Sequence, residues 1–417
     1  MKKAINIIVV IVIVLVAIYF ISNMSLNSQI NKLMKSLKQS GYATTISEIK
    51  PVSTQENRKA AEIIATAYQE ITKGNEDKQN VWNQNIRIAD SINYTDNPQL
   101  FNQINSENKT VIDLLLEAAK YPQADFGYKY QDGYNAEIPK LIPALVKFCR
   151  ILRIYAKQLI AQGKTEQGFD VLKQTVRLAN ISQDNTVFFH LIKAVALTST
   201  FNLIQSSAEK ASIASLESLI TCIEKIDPRS SMMQGIQNEI IIGTNAFDND
   251  KNFAHNVLNN LEPRTIPIRV YCSFLNFVPF KKYGELKFIR TSKKSLELTK
   301  KPYFESKEKW IKLDKSFHKR LDMFSPNLMI LAQRTENLEA RKNITLLGLN
   351  AIIYKKKFGH LPNSLNDLMS NIPIDPYSGK QYIYKKLADG FMIYGVGADG
   401  KNDNGNSETD IVWTVKI

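Results

Sequence analysis

The first 21 residues constrain this chain more than any other stretch. After Met1-Lys2-Lys3, the run from Ala4 to Ile21 holds one polar residue, Asn6. As a helix rising ~1.5 Å per residue it would reach roughly 27 Å, close to the ~30 Å hydrocarbon core of a bilayer. Tyr19 lies near the far end, where an aromatic ring suits the membrane interface. The competing reading is a cleaved signal peptide. The apolar run is longer than the usual ~7–15 residues of such a core, and Ser22-Asn23-Met24-Ser25 is a poor cleavage context. No Cys follows that would direct lipoprotein processing. Residues 1–24 are therefore expected to be an uncleaved transmembrane anchor, with residues 4–21 in the membrane. Lys2 and Lys3 favour an N-terminus inside the cell, although Lys32, Lys35 and Lys38 beyond the run weaken the asymmetry. The expected location is the inner (cytoplasmic) membrane, single-pass, with the bulk facing the periplasm or cell exterior. The stretch 266–280 is apolar, but Arg269, Pro267 and Pro279 break it, so no second span is expected.

Charge and cysteine content narrow the remainder. The formal net charge is +14, which on a soluble chain would suggest nucleic acid. Residues 281–320 alone carry 14 Lys+Arg and 5 Asp+Glu, so +9 of the excess sits there. An extracytoplasmic location excludes a nucleic-acid partner. The stretch, preceded by Tyr271, Phe274, Phe277 and Phe280, reads as a solvated basic connector over 281–324 that could contact an anionic surface. Cys149, Cys222 and Cys272 are far apart and do not make a disulfide scaffold.

The fold class is mainly α, with a helical middle domain over 25–280. Ala60, Ile63, Ile64, Ala67, Tyr68 and Ile71 recur at helical spacing and form one apolar face. Further helices are expected over 108–120, 141–161, 165–179, 187–205 and 213–226. The pair spanning 152–179 resembles a tetratricopeptide-type hairpin, with Gly163 in the turn and Gly168-Phe169 opening the second helix. No 34-residue recurrence extends it, and an ordinary helical hairpin fits equally. If repeats are present, a concave peptide-binding surface is the expected use.

Ser325-Pro326 reads as a helix start that leads to Phe358. Lys355, Lys356 and Lys357 fill the last turn, and Gly359 closes it. Strands are expected over 381–387, 391–396 and 411–415, with a hairpin turn at Asp389-Gly390. Here the residues carry a resemblance. Tyr354-Lys355-Lys356-Lys357-Phe358-Gly359-His360-Leu361-Pro362 is similar to the "YKxxxGxYP" helix end of type II secretion major pseudopilins. Asp375-Pro376-Tyr377-Ser378-Gly379-Lys380-Gln381-Tyr382 resembles their "DPWGxPYxY". Tyr394-Gly395-Val396-Gly397-Ala398-Asp399-Gly400 with Asp410-Ile411-Val412-Trp413 resembles their "SxGADG…DIxxW". The resemblance covers residues 325–417 and implies a small α+β head with an antiparallel sheet. The whole layout also resembles membrane-anchored envelope proteins of planctomycete-like bacteria.

The resemblance further implies a structural calcium ion held by Asp399 and Asp410. The loop itself adds Asp403 and the Asn402 and Asn404 carbonyls, and calcium takes six to eight oxygens from such loops. The spacing is not that of an EF-hand, because Lys401 stands two residues after Asp399. A solvated turn without an ion is the alternative. Two departures from the pseudopilin pattern matter. No prepilin peptidase site precedes Ala4, and about 300 residues separate the apolar run from the head helix. Assembly by the usual helix stacking is therefore not expected.

No H-E-x-x-H, C-x-x-C, G-x-S-x-G or Walker A sequence occurs. His190, His255, His318 and His360 are isolated from one another. The chain is thus expected not to be an enzyme, with no catalytic residues to name. The expected role is a structural or protein-interaction component of the envelope. A component of a type II secretion or pilus-like assembly is the alternative, and an enzyme in the helical domain is the second alternative.

Overall fold

The computed structural model describes residues 2–73, 76–135, 138–249, 278–317 and 328–416. The Ser325-Pro326 helix start, the apolar stretch up to residue 277, Cys272, His255 and His318 lie outside these residues.

Helix α1 runs unbroken over Lys2–Gln39. Residues 5–18 are exposed on every face, as expected of an apolar run that no protein surface covers. Tyr19 is half-buried, and further along Ile30 and Leu37 are fully packed. The same helix therefore changes along its length, from a fully exposed apolar run to a part packed on the protein body.

The body is mostly helical. It comprises α2 (Ile46–Ile49), α3 (Gln55–Ile71), α4 (Glu76–Ser91), α5 (Pro98–Glu107), α6 (Lys109–Ala118), α7 (Leu141–Ala161), α8 (Thr165–Ala179), α9 (Val187–Ser207), α10 (Ile213–Glu224) and α11 (Pro228–Asn249). Thr54 caps α3 by accepting the Asn57 N–H at 3.1 Å, which supplies a partner for an end amide the helix cannot satisfy. Helices α7 and α8 form the hairpin expected from the sequence. Gly163 takes φ +79° in its turn, and a Cβ at Gly168 would come within 2.5 Å of Ile160, so the two helices meet through that glycine. Arg153, almost fully buried, closes a two-pronged pair on Asp90 at 3.0 and 2.6 Å and ties α4 to α7. Helix α9 and its continuation, Val187–Lys210, are long and apolar enough to cross a membrane by composition, but more than half of the segment is buried in the body. It serves as the core helix against which α7, α11 and the tail pack.

The basic stretch takes a different form from the connector expected there. Within it lie α12 (Val278–Thr299) and α13 (Tyr303–Phe317). Leu286, Ile289 and Leu296 recur on one face of α12 and are buried, and Glu285 is buried beside Lys282 at 2.9 Å. The lysines occupy the other faces, so charge counting concealed an amphipathic helix. Helix α12 packs on α11 and on α1. Arg290 donates to Gln29 Oε1 at 2.6 Å, and Lys293 donates to Ser36 Oγ at 2.6 Å. Beyond them the Lys300 ammonium lies 5.0 Å from the Tyr42 ring centre. Partners advance together along both helices, so α1 and α12 run parallel.

The tail begins with α14 (Leu328–Phe358), closed by Gly359 at φ +78°. Strands β1 (Ile383–Leu387), β2 (Gly390–Gly395) and β3 (Ile411–Lys416) form an antiparallel sheet in that order. Ile411, Trp413 and Val415 are buried, while Thr414 and Lys416 face out. This is the period-two pattern of a half-covered sheet. Asp375 joins the segment before β1 to the end of β2. Its carboxylate accepts the Tyr377 N–H at 3.2 Å, the Ser378 hydroxyl at 2.6 Å and the Val396 N–H at 3.2 Å. Helix α13 meets the same turn, where the Phe304 N–H donates to Pro376 O at 3.1 Å and Phe304 lies against Gly379.

Trp413 locks the tail to the body. A Cβ at Gly348 of α14 would overlap the indole at 1.8 Å, and the indole N–H reaches Gln205 O of α9 at 3.0 Å. The buried apolar side chains form one cluster that runs from α1 to β3. Gly348→Ala is expected to push Trp413 from its groove and cost about 1–3 kcal/mol, the usual penalty for overpacking. Thermal melting together with near-ultraviolet dichroism checks this. An unchanged melting temperature and aromatic signal would mean that the indole is not seated there.

Candidate functional site

The loop before β3 carries the three expected metal ligands. Asp399 and Asp403 are exposed, whereas Asp410 is buried. The Asp410 carboxylate accepts the Asp403 N–H at 3.1 Å and the Gly405 N–H at 2.8 Å. Asp399 accepts the N–H of Lys401 at 3.1 Å. Gly400, Asn404 and Gly405 all take positive φ and curl the chain around the Asp410 side chain. Two ammonium groups approach the loop carbonyls from outside. Lys307 of α13 donates to Ala398 O at 2.7 Å and to Asp399 O at 3.3 Å, and Lys385 of β1 donates to Asn404 O at 3.3 Å. Among the described residues no three His, Cys, Asp or Glu side chains gather in a way that could hold a metal. As arranged, Asp410 serves the loop's own amides and lysines take the outer carbonyls. This donor set does not form the oxygen shell that calcium takes.

A second candidate lies in the body. His190 of α9 is fully buried, with Nδ1 at 3.1 Å from Ser231 Oγ and Nε2 at 2.8 Å from Thr335 Oγ1. The Thr335 hydroxyl is already donated to Leu331 O at 2.8 Å, so it accepts from His190 Nε2–H. Nδ1 is then left as the acceptor for Ser231. The hydrogen bonds thus assign the neutral Nε2–H tautomer. Burial, followed by the charge on Lys193, pushes His190 down to about 3. A base that weak cannot take a proton from a serine near neutral pH with useful efficiency. The Ser231–His190 contact is a packing arrangement, with hydroxyls on both sides of the ring.

Ser231 also borders a polar cavity of about 230 Å³. Asp184, Asn185, Lys193, Asp227 and Gln234 line it, at the junction of α8, α9 and α11. Burial pushes Asp184 up to about 7 against the bond it accepts from the Tyr130 hydroxyl at 3.0 Å. Burial likewise brings Lys193 down to about 8, while its ammonium donates to Asn180 Oδ1 at 3.0 Å. A larger and more open hollow of about 570 Å³ lies between α3, α4, α5 and α6. Trp82, Asn85, Gln103, Glu70 and Glu107 line it, and the Lys147 ammonium stands 5.1 Å from the Trp82 ring centre.

Comparison with protein-family models, with curated proteins and with solved structures finds no match. Function therefore has to be read from the geometry. His190 lies in the helix expected over 187–205. Nothing in the sequence marked Asp184, Lys193 or Trp82. Asp184 lies in a loop, and the elements that desolvate it are far away in the chain.

Lys307→Met is expected to destabilise the fold by about 1 kcal/mol, the scale of a net hydrogen bond, while a calcium chelator leaves the wild-type melting temperature in place. A drop on chelation that calcium reverses would show that the loop holds an ion. A separate expectation concerns pH. The folded His190 titrates near 3, below its value of ~6.5 in the unfolded chain. The unfolded state therefore binds more protons between these limits, and stability falls as pH drops through that window. Relative to His190→Gln, the wild type should lose about 1.4 kcal/mol per pH unit from pH ~6.5 downwards. Denaturant melts at several pH values measure this difference, and a constant offset would contradict a buried neutral His190.

Proposed function

We propose that this is a single-pass membrane protein whose body stands on the outer face of the cytoplasmic membrane. There it serves as a structural or protein-interaction component of the cell envelope. The observation that carries the reading is the continuity of α1. Its exposed apolar part passes into a part packed against α12 with no break in the helix. Cleavage after the apolar run would sever a helix at Ser22 and Asn23, where its side chains are already half-covered. Retention as an anchor suits this arrangement better than removal as a signal sequence. Lys2 and Lys3 support an outward-facing body.

The body suits binding better than catalysis. The hollow beside Trp82 is open and lined by that ring, amides and carboxylates, the mixture of flat apolar surface and polar groups found at recognition sites. Among the described residues, the buried histidine that contacts a serine, His190, is too weak a base. A second reading, association with a type II secretion or pilus-like assembly, draws support from the pseudopilin-like motifs of residues 325–417. The order of the tail, a long helix followed by a three-stranded antiparallel sheet, accords with it. Fold likeness alone does not transfer function.

The test is topology in native membranes. The chain should need detergent for extraction and keep an N-terminus upstream of residue 5 by mass spectrometry. Protease added to spheroplasts should degrade the body. A mature chain that starts beyond residue 21, or full protection in spheroplasts, would contradict the reading.

A further inference from the structure

The polar cavity of about 230 Å³ beside Ser231 gathers charges that do not pair with one another. The ends of four helices meet there. Asn180 follows α8, Asn185 stands just before α9, Lys225 follows α10 and Asp227 immediately precedes α11. Helix ends leave backbone groups without intrahelical partners, so polar side chains collect at them. Lys193 joins the wall from the second turn of α9.

Lys193 is half-buried, and its ammonium has three protons to place. One goes to Asn180 Oδ1 at 3.0 Å, and the other two meet no acceptor among the described residues. Asp227 lines the same cavity, and its charge partly offsets the desolvation that brings Lys193 down to about 8. The two nevertheless form no ion pair. One Asp227 oxygen accepts the Ser230 N–H at 2.9 Å, and the other takes no bond among the described residues. The Asn180 amide protons have no acceptor there either. Lys225, exposed, is a second cation without a partner among the described residues. The other carboxylate of the wall, Asp184, is engaged by the Tyr130 hydroxyl at 3.0 Å, and burial holds it up to about 7.

An ammonium and a carboxylate thus share one cavity, keep free hydrogen-bonding capacity and do not reach each other. A lone anion would suit Lys193 and be repelled by Asp227, and a lone cation the reverse. A zwitterion suits both. At ~30 Å³ per water, the space equals about seven or eight water volumes. That is the scale of a small amino acid. Amides and the Ser230 hydroxyl supply polar wall for its side chain, while Ile142 and Leu145 of α7 add an apolar part.

We propose that this cavity binds a free α-amino acid with a small polar side chain, its carboxylate on Lys193 and the Asn180 amide and its ammonium on Asp227. The site belongs to the helical body and depends on neither the anchor nor the tail.

The full-length protein, purified in detergent, is titrated calorimetrically with L-serine, L-threonine and L-asparagine. The tightest binder is then compared with its amino alcohol, which lacks the carboxylate, and with its deamino acid, which lacks the ammonium. Both analogues should bind about ten-fold more weakly or worse, the scale of a charge-assisted hydrogen bond. Asp227→Asn keeps a cap for the Ser230 N–H and removes the charge. Lys193→Met removes the ammonium. Each substitution should weaken binding by about ten-fold or more. Lysine acetylation followed by mass spectrometry locates the site in the unmutated protein. The amino acid should slow modification of Lys193 several-fold relative to exposed Lys164. No binding of any of the three at millimolar concentration, equal binding of either analogue, or an unchanged ratio of Lys193 to Lys164 modification would overturn the site and leave a water-filled cleft. The anchor reading stands or falls separately, by the topology of the chain in native membranes.

Discussion

The packing of α12 along α1 is the contact on which the rest depends. An apolar helix in a membrane can tether a protein loosely through a flexible linker, or it can hold it rigidly. Here the helix that leaves the apolar run is itself part of the core, through Ile30 and Leu37. Arg290 and Lys293 bond to its polar positions at Gln29 and Ser36. These exposed and half-buried polar contacts contribute little stability individually. Burial of the apolar face supplies most of the attraction, and the hydrogen bonds define the register.

A chain of such joints carries that rigidity to the tail. Helix α12 packs on α11, and α11 on α9 and α14. Trp413 closes the path by filling the space left at Gly348 and reaching Gln205 on α9. Asp375 secures the turn before β1 to the end of β2, and α13 meets that turn at Pro376. The Asp-Pro-Tyr-Ser-Gly string that marks the tail in sequence is thus explained locally. The aspartate holds three donors, Tyr377 packs on Tyr303, and Phe304 fits against Gly379 because no Cβ stands there. Asp410 performs the same kind of task for the loop before β3.

Much of this was legible in the sequence wherever the signal is local. Helical periodicity gave α7 and α8 with the boundaries observed. The Asp389-Gly390 turn and the alternation around Trp413 gave the sheet. The helix in the basic stretch was hidden because the cations of α12 are interspersed with its apolar residues, and its buried face appears only once α1 and α11 are beside it. The anchor was read to residue 24, three residues past the end of the apolar run at Ile21. What extends it to Gln39 is a partner more than 250 residues away. The polar sites were hidden for the same reason. Asp90 and Arg153 are 63 residues apart, and His190 and Thr335 are 145 apart. Nothing short-range marks either pair, and the lowered His190 basicity comes from desolvation by distant elements.

The central claim is that residues 22–39 continue the N-terminal apolar helix as one rigid element packed on α12. Amide hydrogen exchange of these residues, measured on the full-length protein in lipid vesicles, tests it most directly. Slow exchange throughout 22–39, matched by residues 286–296 of α12, is the predicted result. Fast exchange anywhere in 22–29, with slow exchange on both sides, would reveal a hinge between the apolar run and the body and contradict the account.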